Sequence, residues 1–255
     1  MELYDFVKTL GFEPIVIGKG KNNPLNTDAN PDMVAESAEK SNKDPYQVAS
    51  YVDGTKTMFE MTCAANAVGA KPIQRGMVGP KADLETVSRI FALVDDGGIT
   101  LEPNTVDFVQ GSAMSGGVFI VTRILDERIQ DDLQYLKVGK GKYFTFFRPY
   151  HLWFIEAPIS VARAYLHREI TLISQDQPTA DVLTVAKKSL KPGELLDTFG
   201  GYTFHGMMDH HEKACSMNAL PVGLAPGARI TQNIRKGEII TWDDVLLDES
   251  QIVVK

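Results

Sequence analysis

The chain has little cysteine, no long apolar run and no glycine-rich dinucleotide fingerprint, and each absence narrows its class. Cys63 and Cys215 are the only two cysteines among 255 residues, and they form no Cys-x-x-Cys pair. That excludes a disulfide framework and a zinc ribbon, and it fits a reducing compartment. No stretch approaches the ~20 apolar residues of a membrane span. The first residues, Met-Glu-Leu-Tyr-Asp-Phe-Val-Lys, carry acids where a signal peptide needs an apolar core. The expectation is a cytoplasmic protein with no membrane partner. Positive charge is also scarce, with 26 Lys and Arg against 33 Asp and Glu, a net charge of −7. This argues against nucleic acid as a partner, because phosphate backbones need clustered cations. A local basic pocket for a small anion is still allowed. No Gly-x-Gly-x-x-Gly occurs anywhere, and Gly18 and Gly20 have the wrong spacing and order for one.

What is present is an alternation of helix and strand signals, which predicts an α/β (α+β) protein. Leu3, Phe6, Val7 and Leu10 have amphipathic spacing, and Gly11 sits where a helix C′ glycine belongs. Residues 12–17 then read as a strand and 18–23 as the loop after it. This is one α–β step of a doubly wound sheet, and a single step cannot bury its own faces. Met1 is already inside the helical pattern. Residues 1–30 are therefore expected to be the last step of a Rossmann-like domain whose other strands lie upstream in a longer parent, or whose edge another chain covers. Further on, helices are predicted over 30–40, 44–68, 83–94 and 126–138, and within 149–167. Strands are predicted over 105–110, 117–122 and 143–147. Residues 31–180 so read as a mixed α+β catalytic or oligomerisation domain.

The C-terminal part carries an internal repeat. Val185–Leu196 aligns with Arg229–Ile240, each an apolar strand, a polar turn with Gly-Glu, and a second apolar pair. Two such hairpins related by a pseudo-twofold make a compact β-clip. With Leu220–Leu224 upstream and Ile240–Val245 downstream, residues 181–255 resemble the SAF domain, which occurs in sialic acid synthases and sugar-acid dehydratases. That resemblance implies sugar-acid handling or closure of an active site within an oligomer.

Several groups of residues have the chemistry of a site. Lys19, Lys21, Asn22 and Asn23 follow a strand, where ligands bind in open α/β sheets, and they suit a phosphate or carboxylate. The alternative is a solvated turn. Asp53, Lys56 and Glu60 share one face of a mostly apolar helix. A lysine beside two carboxylates orients a sugar hydroxyl or delivers a proton to a carbonyl, or else the three form an internal salt-bridge stripe. Asn66 is a candidate lining residue. His151 and Glu156 are a candidate acid/base pair, with Arg148 as an anion clamp and Tyr150 as a polar tip. Gly116-Gly117 permits close approach of a ligand or of a neighbouring strand. His205, Asp209, His210, His211 and Glu212 are dense in potential metal ligands, but their spacing matches no zinc signature. They are expected on an exposed connection, and no metal is assigned.

Gly18–Asn26, Val52–Met61, Ala64–Asn66, Arg75–Pro80 and Phe146–Ala164, taken with the C-terminal module, are similar to one family. It is the deoxyxylulose-phosphate-reductoisomerase-like group of oxidoreductases, associated with alternative isoprenoid biosynthesis. The resemblance implies a homoserine-dehydrogenase-like nucleotide domain, a catalytic domain and a SAF domain. It also implies an NADPH-dependent reaction on a phosphorylated sugar, sugar acid or polyol. This chain departs from the family by lacking the nucleotide fingerprint, so NADPH is expected to need the full-length parent. A non-catalytic sugar-acid-binding or oligomerisation module is the competing reading. An open strand edge at Ile15–Ile17 leads to the further expectation of a homo-oligomer, joined through the strands at 105–110, 117–122 and 143–147.

Overall fold

The computed structural model describes residues 1–247. The helices and strands are, in order, α1 (Glu2–Thr9), β1 (Glu13–Lys21), α2 (Pro31–Lys40), α3 (Pro45–Val52), α4 (Thr55–Val68), β2 (Lys71–Pro72), α5 (Val87–Ile90), β3 (Thr105–Gln110), β4 (Val118–Arg123), α6 (Glu127–Tyr135), β5 (Tyr143–Arg148), α7 (Trp153–His167), β6 (Ala180–Ala186), β7 (Phe204–His210), α8 (His211–Ser216), β8 (Arg229–Ile230) and β9 (Val245–Leu246). The fold is mixed α+β, and no helix among the described residues is long and apolar enough to cross a membrane. The chain forms two compact units. The first is Met1–Asn22, Cys63–Ile73 and Met77–Pro178, and the second takes the remainder, so that the division falls inside α4. Residues 31–62, read from the sequence with the middle region, belong to the second unit. Residues 248–255 of the expected C-terminal module lie outside the described residues.

The first unit is built on a five-stranded sheet of order β2-β3-β1-β4-β5. β1 is its central strand, parallel to β3 and antiparallel to β4. This corrects two expectations. The strand read as a severed edge has both edges paired, with Val16 opposite Thr105 on one side and Val121 on the other. Of the three strands expected at an interface, β3 and β4 are interior, and only β5 lies at an edge. The core under the sheet gathers Ile15, Val16, Phe91, Val109, Met114 and Phe119, all fully buried. The long helix expected over 83–94 is a single turn. The carbonyls of Ile90 and Ala92, which would continue it, accept instead from the backbone of Ile99 and Thr100.

In the second unit, local capping chemistry sets the helices. The Asn30 side chain accepts from Met33 N–H ahead of Pro31, and the Asp44 side chain accepts from Gln47 N–H ahead of Pro45. The helix expected over 44–68 breaks into α3 and α4 at Gly54, which has a φ of +90°. The two repeat copies pair with each other. Antiparallel bridges join Val185 to Ile239, Leu190 to Ile234 and Leu195 to Arg229. Applying the repeat alignment to the first bridge generates the third, and Leu190–Ile234 maps onto itself, so it marks a pseudo-twofold axis. The turns repeat as well. Glu194 accepts from Lys191 N–H at 2.9 Å, and Glu238 accepts from Arg235 N–H at 2.7 Å.

Candidate active site

In the first unit the site residues gather at the C-terminal end of β1. The segment read as a loop, Gly18–Lys21, is strand, because it pairs with β3 through Gln110 and with β4 as far as Val118. Strand alternation puts Gly18 and Gly20 on one face and Lys19 and Lys21 on the other. The glycines serve packing: a Cβ on Gly20 would overlap the Met114 carbonyl, and one on Gly18 the Phe119 ring. The lysines so project together from the opposite face, and Lys21 is only 4% exposed. Asn22 follows directly and places its side-chain oxygen beside Gly116. The Gly116 carbonyl accepts a 2.7 Å hydrogen bond from His151 Nδ1. A carbonyl only accepts, so a proton sits on Nδ1. The structure thus brings Lys21, Asn22 and His151 to one end of the sheet. Asn66 stands elsewhere in this unit, on α4, with its carbonyl accepting from Gln175 N–H at 2.8 Å.

Arg148, Tyr150 and Glu156 form a second group at the start of α7. Arg148 pairs with Glu156, lies 3.7 Å from Glu2, and stacks 5.3 Å from the Tyr150 ring. The expected His151–Glu156 pair is therefore divided, with Glu156 given to Arg148 and His151 to Gly116. A cavity of about 760 Å³ opens here, lined by Glu2, Phe6, Arg148, Glu156, Ile159 and Arg163 among others.

The second unit holds Asn23, Asp53, Lys56 and Glu60. Asp53 is fully buried. One of its oxygens accepts from Thr55 N–H at 2.8 Å and the other lies 2.8 Å from Lys187 Nζ. Lys187 also donates to the carbonyls of Ala29 and Gly201. Asp53 so fixes the entry to α4 and neutralises a buried cation. Lys56 is half-buried, 3.4 Å from Glu60 and 4.5 Å over the Tyr51 ring. Burial, aided by the Lys43 charge, holds the Lys56 amine below the usual lysine value. A lowered amine is a better proton donor and acceptor near neutral pH.

Two functional-looking groups escaped the sequence reading, and a third was placed wrongly by it. Asp107 lies in β3 and accepts from Val78, Gly79 and Phe108 N–H. Burial outweighs these bonds and pushes its carboxyl up to about 6. The available signal was an acid in the middle of an apolar strand. Lys187 had no such signal, since its partner is remote in sequence. His205, expected on an exposed connection, is buried within β7, and burial holds its imidazole below the ordinary value. Asp209 is tied to Arg75 at 2.5 Å. Among the described residues no three His, Cys, Asp or Glu side chains are placed to hold a metal ion.

A dinucleotide pyrophosphate needs a strand, a glycine-rich turn and a helix N-terminus in succession. After β1 comes Asn22-Asn23-Pro24, and the next helix begins at Pro31 with its first turn already capped by Asn30. The step from β1 to α2 has no glycine-rich turn of that kind. No curated protein matches the chain. The model for the catalytic domain of oxidoreductase DRL matches residues 1–157, a span that holds Lys19, Lys21, Asn22, Lys56, Arg148 and His151. With more than half of its length in that match, the chain belongs to the oxidoreductase DRL catalytic-domain family.

Proposed function

We propose that the chain is the substrate-holding part of an oxidoreductase that acts on a phosphorylated sugar or sugar acid, with chemistry like that of deoxyxylulose-phosphate reductoisomerase. The observation that carries this reading is the pair Lys19 and Lys21, two buried lysines on one face of a central strand, with Asn22 and His151 at its end. Two lysines on one strand face, with an asparagine and a histidine at its end, suit a phosphate or carboxylate. Lys56, Glu60 and Asn23 enter as substrate-handling residues through the family resemblance. NADPH is the reductant proposed for the family reaction, and no hydride step is assigned to residues of this chain.

The C-terminal repeat supports a SAF-type module, because its two copies pair about a pseudo-twofold. A homo-oligomer is proposed through α7, where Phe154, Ile155, Ile159, Val161, Tyr165 and Leu166 are each more than half exposed. A row of large apolar side chains of this kind marks an association surface. Light scattering at low micromolar concentration tests it, and a monomer of 28.1 kDa would sink it. A cytoplasmic location is proposed from the two free thiols.

The test of the main reading is calorimetric titration of the whole chain with a pentose phosphate. Lys21→Ala should weaken binding by about tenfold or more, the scale of one hydrogen bond to a charged group. Equal binding by the variant would remove β1 from the site and favour the competing reading, a binding or assembly module without turnover.

A further inference from the structure

Lys56, in the second unit, stands among groups that disfavour its charge. It is the second residue of α4, where the aligned peptide dipoles of a 14-residue helix place positive charge, and no acid in that first turn offsets it. Its Nζ lies 4.5 Å over the Tyr51 ring, and Lys43 Nζ lies 5.7 Å over the same ring, so two ammonium groups share one aromatic side chain. Asp53, the carboxylate nearest in sequence, is taken by Lys187 and by Thr55 N–H. Glu60, one turn along α4, stands 3.4 Å away. That is longer than the ~2.8 Å of a charge-assisted hydrogen bond, yet close enough to exchange a proton. Burial first, and the Lys43 charge after it, accordingly hold the Lys56 amine below its usual value. Burial holds the Tyr51 phenol above its ordinary value, so the ring is neutral at pH 7. A lysine that is partly desolvated beside another cation has the surroundings of a nucleophilic amine.

We propose that Lys56 is a nucleophilic amine that captures small aldehydes as an imine, with Glu60 as the group that moves the protons. In the step, the Nζ lone pair forms a bond to the carbonyl carbon and the C=O π pair moves to oxygen. Glu60 then carries a proton from nitrogen to that oxygen twice. The first transfer makes the hydroxyl, and the second lets it leave as water while the nitrogen pair closes the C=N bond. One amine and one aldehyde give one imine and one water, with no change of oxidation state. All four groups belong to the second unit, and the inference does not rest on the anion reading of β1.

Lys40 is the internal control. It too has a glutamate four residues away, Glu36, and its side chain is 73% exposed against 38% for Lys56. It lies in the last turn of α2, the end of a helix that favours a charged amine. The whole chain is incubated with glycolaldehyde at pH 7, reduced with borohydride and digested, and both lysine peptides are followed by mass spectrometry. Lys56 should be modified at least about tenfold faster than Lys40, a modest part of what a positioned proton-transfer group contributes. Accessibility alone would give the reverse order. Lys43→Gln should slow Lys56 about two- to fivefold at pH 7, the scale of one exposed charge interaction. It should also raise the pH at which Lys56 reaches half its maximal rate, with Lys40 unmoved, an effect that mere loosening of α3 would not give. Lys40 reacting as fast as Lys56 in the unaltered protein overturns the proposal whether or not a variant folds. A Lys56 rate indifferent to folded Lys43→Gln overturns it too.

Discussion

The two units bury lysine in opposite ways. In the second unit Lys187 meets one carboxylate and two carbonyls, enough acceptors for all three ammonium hydrogens. In the first, Lys19 and Lys21 stand two residues apart on one strand face, so each buried cation has another beside it. The first arrangement is complete as architecture. The second sets two lysines at the end of a strand, the position that the proposed anion site uses. Burial alone therefore does not separate a structural lysine from a binding one, and substitution does.

The largest expected effect tests this contrast directly. Lys187→Met leaves Asp53 buried without its cation and should cost about 3–5 kcal/mol, the range for breaking one side of a buried pair. Lys21→Met should cost less than that and should weaken anion binding by about tenfold or more. Urea unfolding of both variants checks the pair. Comparable losses at the two positions would mean that Lys21 too is architectural.

Asp107 sharpens the contrast from within the first unit, because there a carboxyl rather than a lysine sits in the sheet. Its folded value of about 6 lies above that of an unfolded aspartate, so the native state binds this proton more tightly. The stabilising contribution is full below about pH 4 and is lost as pH rises through about 6, a change of about 3 kcal/mol. Asp83, Asp96 and Glu194 are held low and pull the other way. The measurement is thus the difference in unfolding free energy between the chain and Asp107→Asn, followed from pH 4 to 7. A difference that stays flat over that range defeats the assignment.

A smaller effect is expected at Gly20. Alanine there must displace the backbone around Met114, a cost of about 1–3 kcal/mol. The same substitution should weaken anion binding, because it shifts the strand that aims Lys19 and Lys21. Denaturant unfolding together with titration reads both, and a stable variant with unaltered binding would show that the close packing of β1 does not aim the lysines.

These positions also show what was legible in the sequence. Helix starts at Asn30-Pro31 and Asp44-Pro45 could be read because a cap and its helix are neighbours in the chain. The strand at 105–110 was legible from its β-rich composition. Gly18–Lys21 misread as a loop, since glycine and lysine are ordinary in turns and the pairing that makes them strand comes from β3 and β4, far along the chain. The same distance hid Asp53. Its spacing with Lys56 and Glu60 suggested one functional stripe, but its charge is taken by Lys187, which no local pattern relates to it. In the candidate site, Lys21, Asn22 and His151 were named from residue type and position at strand ends, whereas the carbonyl of Gly116 that orients His151 is a backbone group and leaves no mark in sequence.

The smallest expected effect concerns the repeat, the one long-range feature that the sequence did disclose. Gly193 and Gly237 occupy the same place in the two copies, with φ of +91° and +84°. Nothing lies within 4 Å of a Cβ at either position. Alanine at each therefore meets only the backbone penalty of a left-handed conformation, about 1–2 kcal/mol. The N–H of Gly193 donates to the Ile230 carbonyl and that of Gly237 to the Ala186 carbonyl, both at 2.8 Å, so the tie each turn makes to the opposite copy is also the same. If the two copies form one pseudo-symmetric body, Gly193→Ala and Gly237→Ala should lower stability equally, to within about 0.5 kcal/mol, and the double variant should lose the sum. Unequal costs in denaturant unfolding would show that the symmetry of the pairing is not a symmetry of the energetics, and that one copy carries the fold of this unit while the other rests on it.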